Sequence, residues 1–206
     1  VTTTPIPEQS SGPLFYAEKI IPKRMPAQVD LIILGDSQAA NWPEDLAKSL
    51  DPAGNVFNLG VAGDRTQNVL WRLREPALKR LDPSNVILFI GRNNINANDK
   101  PCAVAIGTMA IVKMTHLVWP KTHIVVVGVT PLRIMTPQRT SDLLDLKLAT
   151  VSLLGQTKLA NYVDVSSAVA CAGPSCEALR PDGMHYTQVG YEGIGHLVAP
   201  LLLSHH

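Results

Sequence analysis

Three residues far apart in the chain have the types needed for a nucleophilic relay: Ser37, in Gly35-Asp36-Ser37-Gln38, and Asp182 and His185, in Asp182-Gly183-Met184-His185. A serine hydroxyl is a weak nucleophile until a base takes its proton, and that base must be held in orientation by a third group. His185 is the candidate base. Its three-residue spacing from Asp182 on a loop lets the carboxylate fold back onto one imidazole nitrogen, leaving the other to face Ser37. Attack on an ester carbonyl creates an oxyanion, which needs preorganised donors. The candidates are the Ser37 N–H, the Gly63 N–H, where a side chain would crowd, and the Asn93 side-chain amide. Each residue also has a plainer role: Ser37 as a helix cap, Asp182-Gly183 as a turn, Gly63 and Asn93 as turn residues. Taken singly, the plainer roles explain them better. The case for chemistry lies in the set.

The elements that must bring the set together are legible as patterns. Short apolar runs recur at VDLIIL (29–34), NVFNLG (55–60), NVILFIG (85–91), HIVVVGV (123–129) and YVDVS (162–166). Several are apolar without interruption, as in parallel strands buried on both faces. Helical segments are expected between and after them, at 42–50, 65–80, 101–118, 138–157 and 187–203. In the second, Val69, Leu70, Leu73, Ala77, Leu78 and Leu81 fall at helical spacing with Arg and Lys opposite, so one face packs on the sheet. A fivefold β-α alternation implies right-handed crossovers and helices on both faces of an open sheet. Functional residues of such sheets gather on loops leaving the carboxyl ends of strands. Ser37, Gly63 and Asn93 follow the first, second and third runs, and Asp182 and His185 lie beyond the fifth.

Order and spacing carry more than any single residue. Gly35-Asp36-Ser37, Asn58 to Asp64 (NLGVAGD), Gly91-Arg92-Asn93-Asn94 and Asp182-Gly183-Met184-His185 resemble, in sequence, four blocks of the SGNH hydrolases, also called GDSL-type esterases and lipases. The resemblance spans residues 31–190. It implies a flavodoxin-like three-layer α/β/α domain with a five-stranded parallel sheet, a Ser37-His185-Asp182 triad, and an oxyanion hole of Ser37, Gly63 and Asn93. Within the family, GVAGDRTQNVLWRL followed by NVILFIGRNN looks most like the catalytic subunits of intracellular platelet-activating-factor acetylhydrolases and their bacterial relatives. Three positions depart from the family pattern: Gln38 in place of Leu, Asn94 where Asp is usual, and Arg92 where a small residue is usual. Gln38 and Arg92 are expected at the substrate rim, and Trp42, five positions after Ser37, beside an acyl or sugar pocket. The implied activity is hydrolysis of short-chain carboxylic esters, such as acetyl groups on carbohydrate or a small lipid, through an acyl-enzyme. The alternatives are an acyltransferase using the same intermediate and a noncatalytic binding module on the same fold.

Composition narrows the partners. The 206 residues are 46% hydrophobic and 17% charged, with a net charge of +1. That balance argues against nucleic acid or an anionic membrane surface, whose binding rests on clustered Lys and Arg. No apolar run approaches the ~18 residues of a membrane span. A small-molecule ester is the expected partner, and a homo-oligomer is left open. The Thr-, Pro- and Ser-rich opening makes residues 1–27 a loose lead-in to one domain at 28–204. The chain begins at Val1; a removed signal peptide would favour a secreted or periplasmic location, and a chain shortened for expression explains it equally, while His205 and His206 suit a tag remnant. Cys171 and Cys176 frame a loop in which a disulfide and two thiols are equally compatible, leaving Cys102 unpaired. His116, His123 and His196 lack ligand spacing, so no metal is expected, and the first strand lacks GxGxxG, so no dinucleotide cofactor is expected either. Asp164 can in principle orient a histidine and ranks below Asp182. Trp71 and Trp119 are packing residues.

Overall fold

The computed structural model describes residues 2–51, 53–171 and 176–203. Five parallel strands, β1 (Leu31–Gly35), β2 (Val56–Gly60), β3 (Asn85–Phe89), β4 (His123–Val127) and β5 (Asn161–Val163), form one sheet in the order β2-β1-β3-β4-β5. This is the doubly wound order of a flavodoxin-like α/β/α domain, whose switch point lies between β1 and β3. Gly35 is in register with both Gly60 and Phe89, so the first three strands end level and their loops leave side by side.

Alternation along each strand divides the core. Ile32 and Leu34 of β1 face one layer with Val69, Leu70, Ile111 and Val112, while Leu31 and Ile33 face the other with Trp42, Tyr191, Ile194 and Val198. In chain order the α-helices are α1 (Ser11–Phe15), α2 (Ile21–Arg24), α3 (Ser37–Ala40), α4 (Glu44–Ser49), α5 (Thr66–Arg72), α6 (Arg92–Asn96), α7 (Pro101–Val118), α8 (Pro137–Thr157) and α9 (Gln188–Val198). The two longest, α7 and α8, match the expected spans to within a residue. Each begins with proline, which needs no N–H partner in a first turn.

Elsewhere the sequence expectation and the structure differ. The segment expected as one helix over 65–80 breaks after Arg72, because Pro76 has no N–H to continue it; a 3-10 turn, Pro76–Arg80, still buries Leu78. Residues 1–27 are not simply a loose lead-in. Ser11–Arg24 is helical, widened to a π-type turn over Tyr16–Ile20, and Ile21 is buried in the first core layer. Ahead of it, Ile6 N–H donates to Gln67 O (3.1 Å), Thr66 Oγ1 to Thr2 O (2.8 Å) and Thr2 Oγ1 to Ala103 O (2.8 Å). Contrary to the reading of apolar runs, α7 is long and apolar enough to cross a membrane by length and composition. Half of it is buried, with Val104, Met109, Ile111 and Val112 against neighbouring elements, as in the core helix of a globular domain. Cys171 and Cys176 are joined by a disulfide and Cys102 is free. The intervening residues 172–175, and His205 and His206 with the tag reading, lie outside the described residues.

Candidate active site

Ser37 opens α3, directly after β1. Its expected alternative role, capping that helix, belongs instead to Asp36, whose Oδ1 accepts the Gln38 N–H at 2.9 Å. The Ser37 hydroxyl is thereby free for another partner and lies 3.0 Å from His185 Nε2. The loop carrying His185 is a small hairpin: Leu179 bridges Tyr186, Arg180 N–H donates to His185 O (2.7 Å), and Gly183 makes the turn at φ +68°. Asp182 builds that turn and also orients the imidazole. Its Oδ1 accepts the Met184 and His185 N–H groups at 2.8 and 2.9 Å, while Oδ2 lies 2.7 Å from His185 Nδ1. These contacts, the imidazole's first among them, hold the Asp182 carboxyl down to about 2, so it is ionised near neutrality. An ionised carboxylate only accepts, so the neutral form of the imidazole carries its proton on Nδ1 and turns the Nε2 lone pair to the Ser37 hydroxyl.

The Gly63 and Asn93 loops meet each other at the same edge of the sheet. Gly63 is exposed with φ +87°, and a Cβ there would meet nothing within 4 Å. The left-handed backbone conformation by itself favours glycine at this position. Asn93 Nδ2 donates one hydrogen bond to Asp64 O at 2.9 Å. An amide NH₂ has two hydrogens, so one remains for a ligand. Asp64 itself is buried and receives Arg72 Nε at 2.8 Å and Nη2 at 2.6 Å on a single oxygen, Oδ2. Burial pushes its carboxyl up to about 6 despite that contact, and among the described residues Oδ1 has no protein partner. Arg72 also donates to Leu59 O and Gly35 O, tying the ends of β2 and β1 to the Gly63-Asp64 loop.

The three residues expected at the rim are not there. Gln38, Trp42 and Arg92 are only 5%, 4% and 6% exposed. Trp42 packs on Phe89 and Tyr191 at ring-centroid distances of 5.4 and 5.2 Å. Arg92 points under the site and donates to Thr130 O, whose own hydroxyl lies 2.8 Å from Tyr186 Oη. Burial lowers the Arg92 guanidinium from its ordinary value and raises Asp36, beneath Ser37, to about 7. The third departure, Asn94, has a structural reason. Its Oδ1 accepts the Thr66 N–H (3.0 Å) and its Nδ2 donates to Asp99 Oδ2 (2.9 Å), where a carboxylate would face another carboxylate. Asp164 pairs with Lys147 at 2.5 Å, which holds its carboxyl down to about 2. Among the described residues no group of three or more His, Cys, Asp or Glu is placed to hold a metal. A cavity of about 320 Å³ lined in part by Leu132, Arg133, Met135 and Leu144 adjoins the His185 loop, Arg133 N–H donating to Gly183 O at 2.9 Å.

A parallel β2-β1-β3-β4-β5 sheet between helical layers is the three-layer α/β/α fold of the GDSL/SGNH hydrolases. Residues 28–192 match the model of the GDSL-like lipase/acylhydrolase family, and the chain belongs to that family. It is 27% identical over 177 residues to the rat platelet-activating factor acetylhydrolase IB subunit alpha1, covering 84% of this chain and 75% of that one. Its fold is similar to that of a GDSL-like lipase from Bacteroides thetaiotaomicron, at a TM-score of 0.69, 16% identity, and coverage of 92% of this chain and 96% of that one. It is also similar to a carbohydrate acetylesterase from Sinorhizobium meliloti, with a TM-score of 0.67, 16% identity, and coverage of 84% and 97%.

Proposed function

We propose that this chain is a serine esterase that hydrolyses short-chain carboxylic esters, acetyl esters of carbohydrate or of a small lipid foremost, through an acyl-enzyme on Ser37. The observation that carries the reading is the continuous relay from Ser37 Oγ to His185 Nε2 (3.0 Å) and from His185 Nδ1 to Asp182 Oδ2 (2.7 Å). Relatives named an acetylhydrolase and a carbohydrate acetylesterase support an acetyl group as the acyl part.

In this reading His185 Nε2 takes the Ser37 proton as Oγ bonds to the ester carbonyl carbon. The negative charge that develops on the carbonyl oxygen meets the Ser37 N–H, the Gly63 N–H and the second Asn93 N–H. The imidazolium, balanced by the Asp182 carboxylate, gives its proton to the alcohol oxygen as the carbon–oxygen bond breaks. Water then attacks the acyl-enzyme with His185 as base again, releasing the acid and restoring Ser37. The small ester is this reading's partner, and the Cys171–Cys176 disulfide suits an oxidising compartment.

The test is turnover of p-nitrophenyl acetate together with fluorophosphonate labelling. Ser37→Ala should abolish both, and in the parent the label should map to Ser37. Retained turnover in that variant, or a label on another residue, overturns the reading. Acetate appearing only as a new ester when an acceptor alcohol is supplied would replace hydrolysis by acyl transfer.

A further inference from the structure

We propose that Gln38 is a positioning residue that fixes His185 against Ser37, a role that rests on the relay above. Gln38 follows Ser37 in the first turn of α3, and its side chain turns inward instead of toward a substrate rim. Its Nε2 donates to Met184 O at 2.9 Å, the carbonyl immediately before His185. The backbone of Gln38 is itself held at both ends: its N–H donates to Asp36 Oδ1 (2.9 Å) and its carbonyl accepts the Tyr191 hydroxyl (2.8 Å). One side chain therefore joins the helix that presents the hydroxyl to the loop that presents the base.

That connection differs from the others on the loop. Arg180 N–H bonds His185 O within the hairpin, and Arg133 N–H reaches Gly183 O from the segment after β4. Both fix the shape or height of the hairpin. The Gln38 bond refers the imidazole to the residue next to Ser37, so it bears directly on the 3.0 Å separation between Oγ and Nε2. The bonds from Asp182 set the ring's orientation within the turn, and both residues are partly exposed. The residue type follows. Leucine, the usual residue at this block position in the resembled family, has no donor, and an ionised glutamate would present an acceptor to a carbonyl. Glutamine alone among these has the reach and a neutral N–H. Its Oε1 is buried with no protein partner among the described residues, so the amide is not chosen for packing. Replacing it with an apolar residue of similar volume removes the tie without leaving that oxygen orphaned.

The experiment compares Gln38→Leu and Gln38→Met with the parent chain in p-nitrophenyl acetate kinetics, thermal unfolding and active-site titration with a fluorophosphonate. Misplacement of a reacting group by about 1 Å costs ~10²-fold in rate, so kcat and the labelling rate constant should fall by about 10- to 100-fold. KM should stay within about twofold, Tm within about 3 °C, and every molecule should still be titratable. A merely structural role gives the opposite pattern: a lower Tm and a reduced titratable fraction, with parent kinetics in the molecules that remain folded. That pattern, or unchanged kcat in either folded variant, overturns the proposal. Met preserves the length of Gln without a donor, so it serves if the Leu variant does not fold. Activity surviving in Ser37→Ala defeats the relay itself, whereas an inactive Ser37→Ala beside a fully active Gln38→Met defeats only the positioning role.

Discussion

The Asn93 side-chain amide donates to the Asp64 carbonyl at 2.9 Å, joining the loop after β3 to the loop after β2 immediately beside Gly63. The two expected oxyanion donors are thus parts of one assembly, since the bond that aims the Asn93 amide also anchors the carbonyl of Asp64, the residue following Gly63. Beneath them, Asp64 and Arg72 anchor the same loop from inside the core.

Asn93→Ala removes both the free N–H and the tie to Asp64. The lost donor alone should lower kcat on p-nitrophenyl acetate by ~10²–10³. Asn93 is only half-buried, so the variant should fold, and circular dichroism with fluorophosphonate labelling checks this. Labelling should persist at Ser37, because the Ser37–His185 contact does not involve Asn93. Parent-level kcat in a folded variant would remove Asn93 from the mechanism.

Arg72→Met isolates the support beneath the loop. Asp64 is fully buried, and the substitution deprives its carboxylate of its cation and takes one donor from each of the Leu59 and Gly35 carbonyls. Breaking a buried pair by removing one partner costs about 3–5 kcal/mol. At roughly 2–4 °C per kcal/mol for a chain of this size, Tm should fall by about 6–20 °C. Arg72→Met with Asp64→Asn removes the orphaned charge as well and should recover part of that loss. If the double variant is no more stable than the single one, the pair is not what holds the loop.

The strands were legible because burial on both faces leaves an unbroken apolar run, and the level ends of β1, β2 and β3 follow from their equal lengths and parallel register. The candidate site was legible as blocks of residues, since tight loops after parallel strands confine the chemistry to few positions. The orientation of the neighbours was not legible. Where a strand turns sharply into a helix, adjacent side chains point to opposite sides. The residues next to Ser37 and Asn93 are therefore driven under the sheet edge, and Gln38 and Arg92 are buried, not solvated. Nor was the opening segment legible. It is held largely by backbone groups, such as Ile6 N–H on Gln67 O, which no side-chain pattern announces.

Asp36 gives a pH signature that can be separated from the rest of the molecule. It lies under Ser37 without exposure, and burial raises its carboxyl from 3.8 to about 7, against the opposing influence of the Gln38 N–H and Arg92. Because the folded value is the higher one, the fold prefers the protonated acid. Its contribution to stability is fully present below about pH 4, is lost as pH rises through 7, and changes no further above that. A shift of about 3 units corresponds to about 4 kcal/mol. Asp164 and Asp182 act in the opposite direction and lower down, since their carboxyls are held at about 2 and their contributions are lost only as pH falls below about 4. Asp64, also raised, is present in parent and variant alike, and its charge adds to the rise at Asp36. Asparagine at position 36 keeps an Oδ1 acceptor for the Gln38 N–H and cannot ionise. Asp36→Asn should therefore match the parent in urea unfolding at pH 4, and be the more stable of the two by a few kcal/mol at pH 8, with the difference growing between those limits. A stability difference that stays constant from pH 4 to pH 8 would show that Asp36 titrates no differently in the folded chain than in the unfolded one.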